Sequence, residues 1–216
     1  MRVELSRVAK GRALPVTSVA FRSGRASLAV AETEQRPTVL GLVASGRMRP
    51  SAGAVTIDGA ADAAALRRRV ALVDAPDVSD PAPDVIVAAV VGEELMFAGR
   101  RSDPLAVRAW LDDHGVRELS RIPIAAVDPT VRLRLLLELA ALRPGVEGIV
   151  LVSPDRHGGD PRDWWRLAQE FAERGLAVLV IAGDAAASVV ADAPVRPRGR
   201  RMRLRPTARL RAEERR

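Results

Sequence analysis

The tightest constraint on the fold comes from two short runs late in the chain, GIVLVS (148–153) and LAVLVIAG (176–183). Both are apolar almost throughout and rich in Val, Ile and Leu, without the polar alternation of a strand that has one wet face. Runs of this kind are covered on both sides, as strands of a parallel sheet are. Between them, DPRDWWRLAQEFAERG reads as a helix, with Asp160 as its cap, Pro161 at its first position and Gly175 just past its end. Trp164, Leu167, Ala168 and Phe171 share one face at helical spacing. Strand, helix and strand form a βαβ unit, so the chain is expected to build a parallel sheet covered by helices.

The first thirty residues alternate instead. RVELSRV, VTSVAF and ASLAVA have strand character, broken by Gly11, Pro15 and Gly24, and point to an antiparallel β portion. A helix is predicted over 37–45, because the fixed φ of Pro37 suits a first helical turn. RPSAG is then a turn, AVTIDG a strand, DAAALRRR a short helix and VALVD a buried strand. From about 75 to 130 the texture changes. The acidic, proline-rich loop APDVSDPAPD precedes two predicted helices, VIVAAVVGEELMF and DPLAVRAWLDDHG, the second capped by Asp103. This stretch reads as an inserted helical lobe. After it, VRLRLLLELAAL is apolar nearly all round, which predicts a helix buried on several sides. The expected organisation is one domain over 1–204, with the lobe at about 75–130, and a basic tail over 205–216.

Composition narrows the classes. The chain has 216 residues, of which 48% are hydrophobic, enough for a sizeable core. No run approaches the roughly 18–20 apolar residues of a membrane span, and MRVELSRVAKGR lacks the apolar core of a secretory leader. The expected location is therefore cytoplasmic, with peripheral attachment to the inner face of a membrane as a variant. Cysteine is absent, which excludes disulfides and thiolate metal sites. The net charge of +7 is carried by arginine, Lys10 being the one lysine, and it concentrates in RPRGRRMRLRPTARLRAEERR. Such a tail suits nucleic acid, anionic lipid or an acidic partner, or simply a solvated end. With no Tyr and few other aromatics, stacking platforms for single-stranded nucleic acid are poorly supplied.

In order and spacing, these elements resemble the nucleotide-binding domain of ABC transporters, from Val3 to about Leu204. Gly24 stands where that family has a turn glycine before its phosphate loop. PSAGAVTIDG (Pro50 to Gly59) matches the segment that follows the next helix. RRVALVD is similar to the strand leading to the Q-loop, RLRLLLELAALRP to the helix behind the signature motif, and IVLVSPDRHGGDP to the Walker B and D-loop run. GLAVLVIAGD stands where the switch-histidine strand is expected. The resemblance implies an α/β, P-loop NTPase-like (ABC ATPase) sandwich. It would have a parallel-sheet core, an N-terminal antiparallel β portion and the inserted lobe.

The chemistry of the family is missing from the matching positions. A phosphate loop needs glycines that turn backbone N–H groups inward, a lysine for the β/γ-phosphates and a hydroxyl for Mg2+. This chain offers Ala31, Glu32, Thr33, Glu34, Gln35, Arg36, Pro37 and Thr38. Pro37 stands at the lysine position, Glu32 and Glu34 put negative charge where a triphosphate would lie, and only Thr38 keeps a usable hydroxyl. Ser153 replaces the Walker B aspartate, Pro154 the general-base glutamate and Gly183 the switch histidine, while Asp74 falls at the Q-loop glutamine. The signature positions read Val127, Asp128, Pro129, Thr130 and Val131. No catalytic residue and no metal site is assigned, and no cofactor is expected; Mg-ATP enters only if the site works in a divergent form.

The resemblance thus implies a catalytically silent ABC-ATPase-like subunit that binds a partner ATPase subunit, a membrane permease or both, as a homo- or heterodimer. His157 and Asp160 are candidates for the face toward a second ATPase, and Asp80 and Asp84 for a permease groove. The loop around Asp155 and His157 is otherwise expected to be solvated, and Ser153, Asp155 and His157 are too close in sequence to converge as a triad. Two alternatives remain: a divergent ATP-binding subunit with residual ATPase activity helped by Arg36 and Asp155, and a basic adaptor for nucleic acid or anionic membrane. Carboxylates at 32 and 34 are also expected to stabilise the start of the following helix.

Overall fold

The computed structural model describes residues 1–32 and 35–191. The tail over 205–216, Thr33 and Glu34 lie outside the described residues. Strands β1 (Arg2–Lys10), β2 (Leu14–Arg22) and β4 (Ala52–Ile57) form an antiparallel sheet in the order β2-β1-β4. Strands β3 (Arg25–Val30), β5 (Val70–Val73), β6 (Gly148–Val152) and β7 (Ala177–Ala182) form a second sheet, β3-β7-β6-β5, in which every pairing is parallel. A parallel sheet and an N-terminal antiparallel portion are both present, but ASLAVA, read with the antiparallel strands, falls in β3 of the parallel sheet, where it pairs with β7. Helices α1 (Gln35–Ala44), α2 (Ala63–Arg69), α3 (Val87–Phe97), α4 (Pro104–Asp113), α5 (Pro129–Ala141), α6 (Pro161–Glu173) and α7 (Asp184–Ala191), with 3-10 turns at Arg117–Leu119, Ile124–Ala126 and Pro154–His157, complete the described elements.

The apolar runs behave as their composition requires, because alternate residues feed two separate cores. Ile149, Leu151, Val178 and Val180 face a core shared with α3, α5 and α6. Val150, Val152, Leu179 and Ile181 face one shared with α1 and the antiparallel sheet. Trp164, Leu167, Ala168 and Phe171 are all buried, so the predicted face of α6 is its packing face. Gly41 lets α1 lie close against the sheet: a Cβ there would sit 2.8 Å from Val152 Cγ2 and 3.0 Å from Leu72 Cδ1. Gly53, from the PSAG turn, has φ +78° and backs onto a bulge of β1. A Cβ at this position would fall 2.3 Å from the Arg7 carbonyl oxygen, and Arg7 itself has φ +50°.

Several boundaries differ from the sequence reading. The first helix begins at Gln35 rather than Pro37. Proline is accommodated there because the first-turn N–H groups of a helix have no intrahelical acceptor. Helix α3 starts at Val87, after Ile86 bridges to Pro123. Helix α5 starts at Pro129, two residues earlier than its apolar stretch, because Asp128 caps it. Among the described residues, no helix is long and apolar enough to cross a membrane.

Candidate functional site

In open parallel sheets, ligands settle outside the carboxyl ends of the strands. Here β3, β7, β6 and β5 end side by side at Val30, Ala182, Val152 and Val73, followed by Ala31, Gly183, Ser153 and Asp74. The ladder runs slightly past the strands: Ala31 N donates to Ala182 O (3.0 Å) and Ser153 N to Ile181 O (2.8 Å). The fold therefore gathers the positions singled out in the sequence along one edge. Two of them, Asp74 (φ +58°) and Ser153 (φ +48°), hold left-handed backbone on adjacent strands, a conformation that concentrates at sites where chain direction is fixed by surroundings.

On the β3 side, Glu32 is exposed and Arg36 half-buried, while Pro37 is buried. With Leu14, Pro15, Thr17, Ala31 and Leu40, Glu32 and Arg36 line a cavity of about 150 Å3. Small-molecule sites usually begin at roughly 300 Å3. The Thr38 hydroxyl oxygen is buried without a hydrogen-bond partner among the described residues. Among the described residues no hydrogen bond ties Glu32 to α1. Glu34 lies outside the described residues.

On the β5 side the structure holds a cluster that sequence reasoning missed. Asp74 is fully buried and Arg132, on α5, is 3% exposed. Arg132 Nη1 donates to Asp74 Oδ2 (2.8 Å) and Nη2 to Oδ1 (2.7 Å). Arg156 Nη2 adds a bond to Oδ1 (2.9 Å), and His157 Nε2 lies 2.9 Å from Oδ2. That nitrogen is also 2.8 Å from Arg156 Nε. A carboxylate only accepts, so the contact with Asp74 requires the proton on Nε2, and Arg156 Nε then has no acceptor in the ring. Burial works against the Asp74 charge. The Arg132 and His157 contacts and the nearby guanidinium of Arg156 outweigh it, and the carboxyl is held below the usual aspartate range.

This cluster corrects one expectation. The loop around Asp155 and His157 is more than a solvated corner: the 3-10 turn Pro154–His157 folds back on the sheet edge, and Asp155 Oδ2 accepts from Gly183 N–H (3.1 Å). Asp80, a candidate for a permease groove, has its Oδ2 3.3 Å from Arg156 Nη2. The sequence did contain a signal. On α5, Arg132 shares a face with Leu135, Leu136 and Leu139, all buried; a guanidinium on an apolar helix face demands a buried acid nearby, and VALVD supplies one.

Of the remaining positions, Val127 is buried and Asp128 caps α5, its Oδ1 accepting from Thr130 N (2.9 Å) and Val131 N (3.2 Å), with Pro129 first in the helix. Val127 to Val131 thus form a cap and first turn in which the Thr130 and Val131 N–H groups are already used. Asp160 is spent as the α6 cap, accepting from Arg162 N (2.9 Å). Asp84 is exposed. Farther along, α3, α4 and the turn Arg117–Leu119 enclose a groove of about 780 Å3, with Ile86, Met96 and Leu111 on its walls and Arg108 and Arg121 lining it. Among the described residues, no group of His, Asp and Glu is arranged to hold a metal ion.

No protein-family model matches the chain, and no curated protein sequence matches it. Solved structures do. An ATP-binding subunit of an ABC transporter superposes with a TM-score of 0.59 at 15% identity, over 87% of this chain and 82% of its own. The protein cbiO1 from Clostridium perfringens, part of the ABC transporter complex cbiONQ, gives 0.60 at 17% identity, over 84% and 77%. This chain therefore has the α/β, P-loop NTPase-like fold of ABC-transporter ATP-binding subunits.

Proposed function

We propose that this protein is a catalytically silent ABC-ATPase-like subunit that acts by binding an active ATPase subunit, a membrane permease or both. The observation that carries this reading is the set of residues at the strand ends. Pro37 has neither charge nor N–H, Ser153 and Pro154 offer no carboxylate, and Gly183 has no side chain. In this reading Mg-ATP has no fitting site. The cavity beside Glu32 and Arg36 is small, and Asp74 and one oxygen of Asp155 are engaged by the chain's own donors.

Partner binding would use surfaces away from that edge. The groove between α3 and α4 offers apolar walls, and Met96 is more than half exposed; it is the proposed seat for a segment of a permease. The neighbour cbiO1 works within a transporter complex, and a comparable assembly is the setting proposed for this chain, at the inner face of a membrane. The test is thermal unfolding with and without millimolar Mg-ATP. No rise in Tm is expected, and a saturable rise overturns the reading.

One observation favours a divergent ATP-binding subunit instead: the Thr38 hydroxyl, near Arg36 in the chain, is buried without a hydrogen-bond partner among the described residues. Single-turnover hydrolysis that Arg36→Ala abolishes would establish it.

A further inference from the structure

We infer that Asp74 acts as a built-in ligand, its carboxylate filling an anion site made by Arg132, Arg156 and His157 that takes a small carboxylate once the Asp74 side chain is removed. The inference goes beyond the proposed function, and either can fail without the other.

A buried ion pair by itself is a poor source of stability, because desolvating two charges offsets their attraction. What distinguishes this one is how fully the carboxylate is received. Four contacts of 2.7–2.9 Å reach its two oxygens from one side chain of α5 and two of the turn after β6. Those groups come from segments more than twenty residues apart, and the carboxylate is their common point. The arrangement is that of a binding site whose ligand is tethered by one Cβ.

Charge identifies the ligand class. Asp74 and Asp80 face Arg132 and Arg156, two carboxylates against two guanidiniums. Without Asp74, one positive charge is left unbalanced, with Arg132 almost completely enclosed. A monovalent anion restores the balance. Acetate matches the deleted CH2–COO− group atom for atom, which makes it the probe of choice. Backbone conformation identifies the variant. Glycine adopts the left-handed φ of +58° at position 74 without strain, so Asp74→Gly opens the site and leaves the turn in place.

The consequence is a device that needs no external ligand. The end of β5, the first turn of α5 and the turn after β6 are drawn together by a resident carboxylate. The far end of α5 is in turn tied to α3 by Arg143 Nη2 donating to Glu94 (2.6 and 2.9 Å). The helices between β5 and α5 are thereby held to the sheet in one arrangement.

The test uses the full chain at pH 7, with sodium acetate compared against sodium chloride at equal ionic strength. D74G is expected to melt below the wild type and to recover with acetate, by roughly 3–5 °C for each tenfold increase in concentration above the dissociation constant. Wild type should respond equally to both salts. If D74G does not fold unaided, recovery of its native signal on refolding in acetate, and not in chloride, is the same result. D74G/R132M should lose the preference for acetate. Acetate that does no better than chloride in both melting and refolding of D74G overturns the inference, as does an undiminished acetate response in D74G/R132M. A wild-type response to Mg-ATP would refute catalytic silence while leaving the acetate comparison unaffected.

Discussion

Replacing Arg132 by methionine keeps the length and apolar bulk of the side chain and deletes the fork that holds Asp74. Two charge-assisted hydrogen bonds disappear, each worth about 1.5–3 kcal/mol. Removing one partner of a buried pair typically costs about 3–5 kcal/mol, because the other charge stays behind. Arg156 and His157 still reach Asp74, so the expected loss for R132M lies near the lower end, about 3 kcal/mol. In a chain of this size that lowers Tm by roughly 6–12 °C. Urea unfolding followed by circular dichroism gives the free energy directly. D74N/R132M, with the stranded charge gone, should be more stable than R132M. The pH dependence has a definite sign. The Asp74 carboxyl lies below its usual value in the folded chain, so its contribution is complete above the unfolded value of about 4 and drains away as pH falls through the folded value. The gap between wild type and R132M is therefore widest at neutral pH and narrows in acid. An R132M variant within about 1 kcal/mol of wild type at pH 7 would refute the argument.

Two further substitutions test the frame around the site. Asp128→Ala removes the acceptor for Thr130 N and Val131 N and should cost about 1 kcal/mol in urea unfolding, with Asp128→Asn recovering most of it. Gly41→Ala drives a methyl against Val152 and Leu72 and should cost about 1–3 kcal/mol, despite the better helix propensity of alanine.

What could be read from the chain and what could not divide along physical lines. The parallel sheet was legible because a strand buried on both faces leaves a continuous apolar run, and the α6 cap and face because Asp160-Pro161 and the Trp164 to Phe171 spacing are local signals. The edge positions Ala31, Asp74, Ser153 and Gly183 were legible as a set only through the resemblance to ABC-transporter nucleotide-binding domains, which matched each to a motif position of that family. The Asp74 cluster was not, since its donors lie 58 to 83 positions from Asp74 and each has an innocent local explanation. His157 in a Gly-rich turn looks solvated until β6 and β5 are placed side by side. The start of α1 was misjudged because proline marks a helical first turn without saying which position of it.

The pairing of β3 with β7 has a consequence for the order in which the molecule can assemble. Among the described residues, 25–30 pair only with 177–182, so β3 cannot join its sheet until most of the sequence is present. Long-range parallel pairing of this kind slows folding and leaves strand edges exposed meanwhile. The antiparallel β1–β2 hairpin can form early, whereas β3 waits. Nascent or truncated chains ending before residue 177 would carry β3 without its partner strand, open to pairing with another chain.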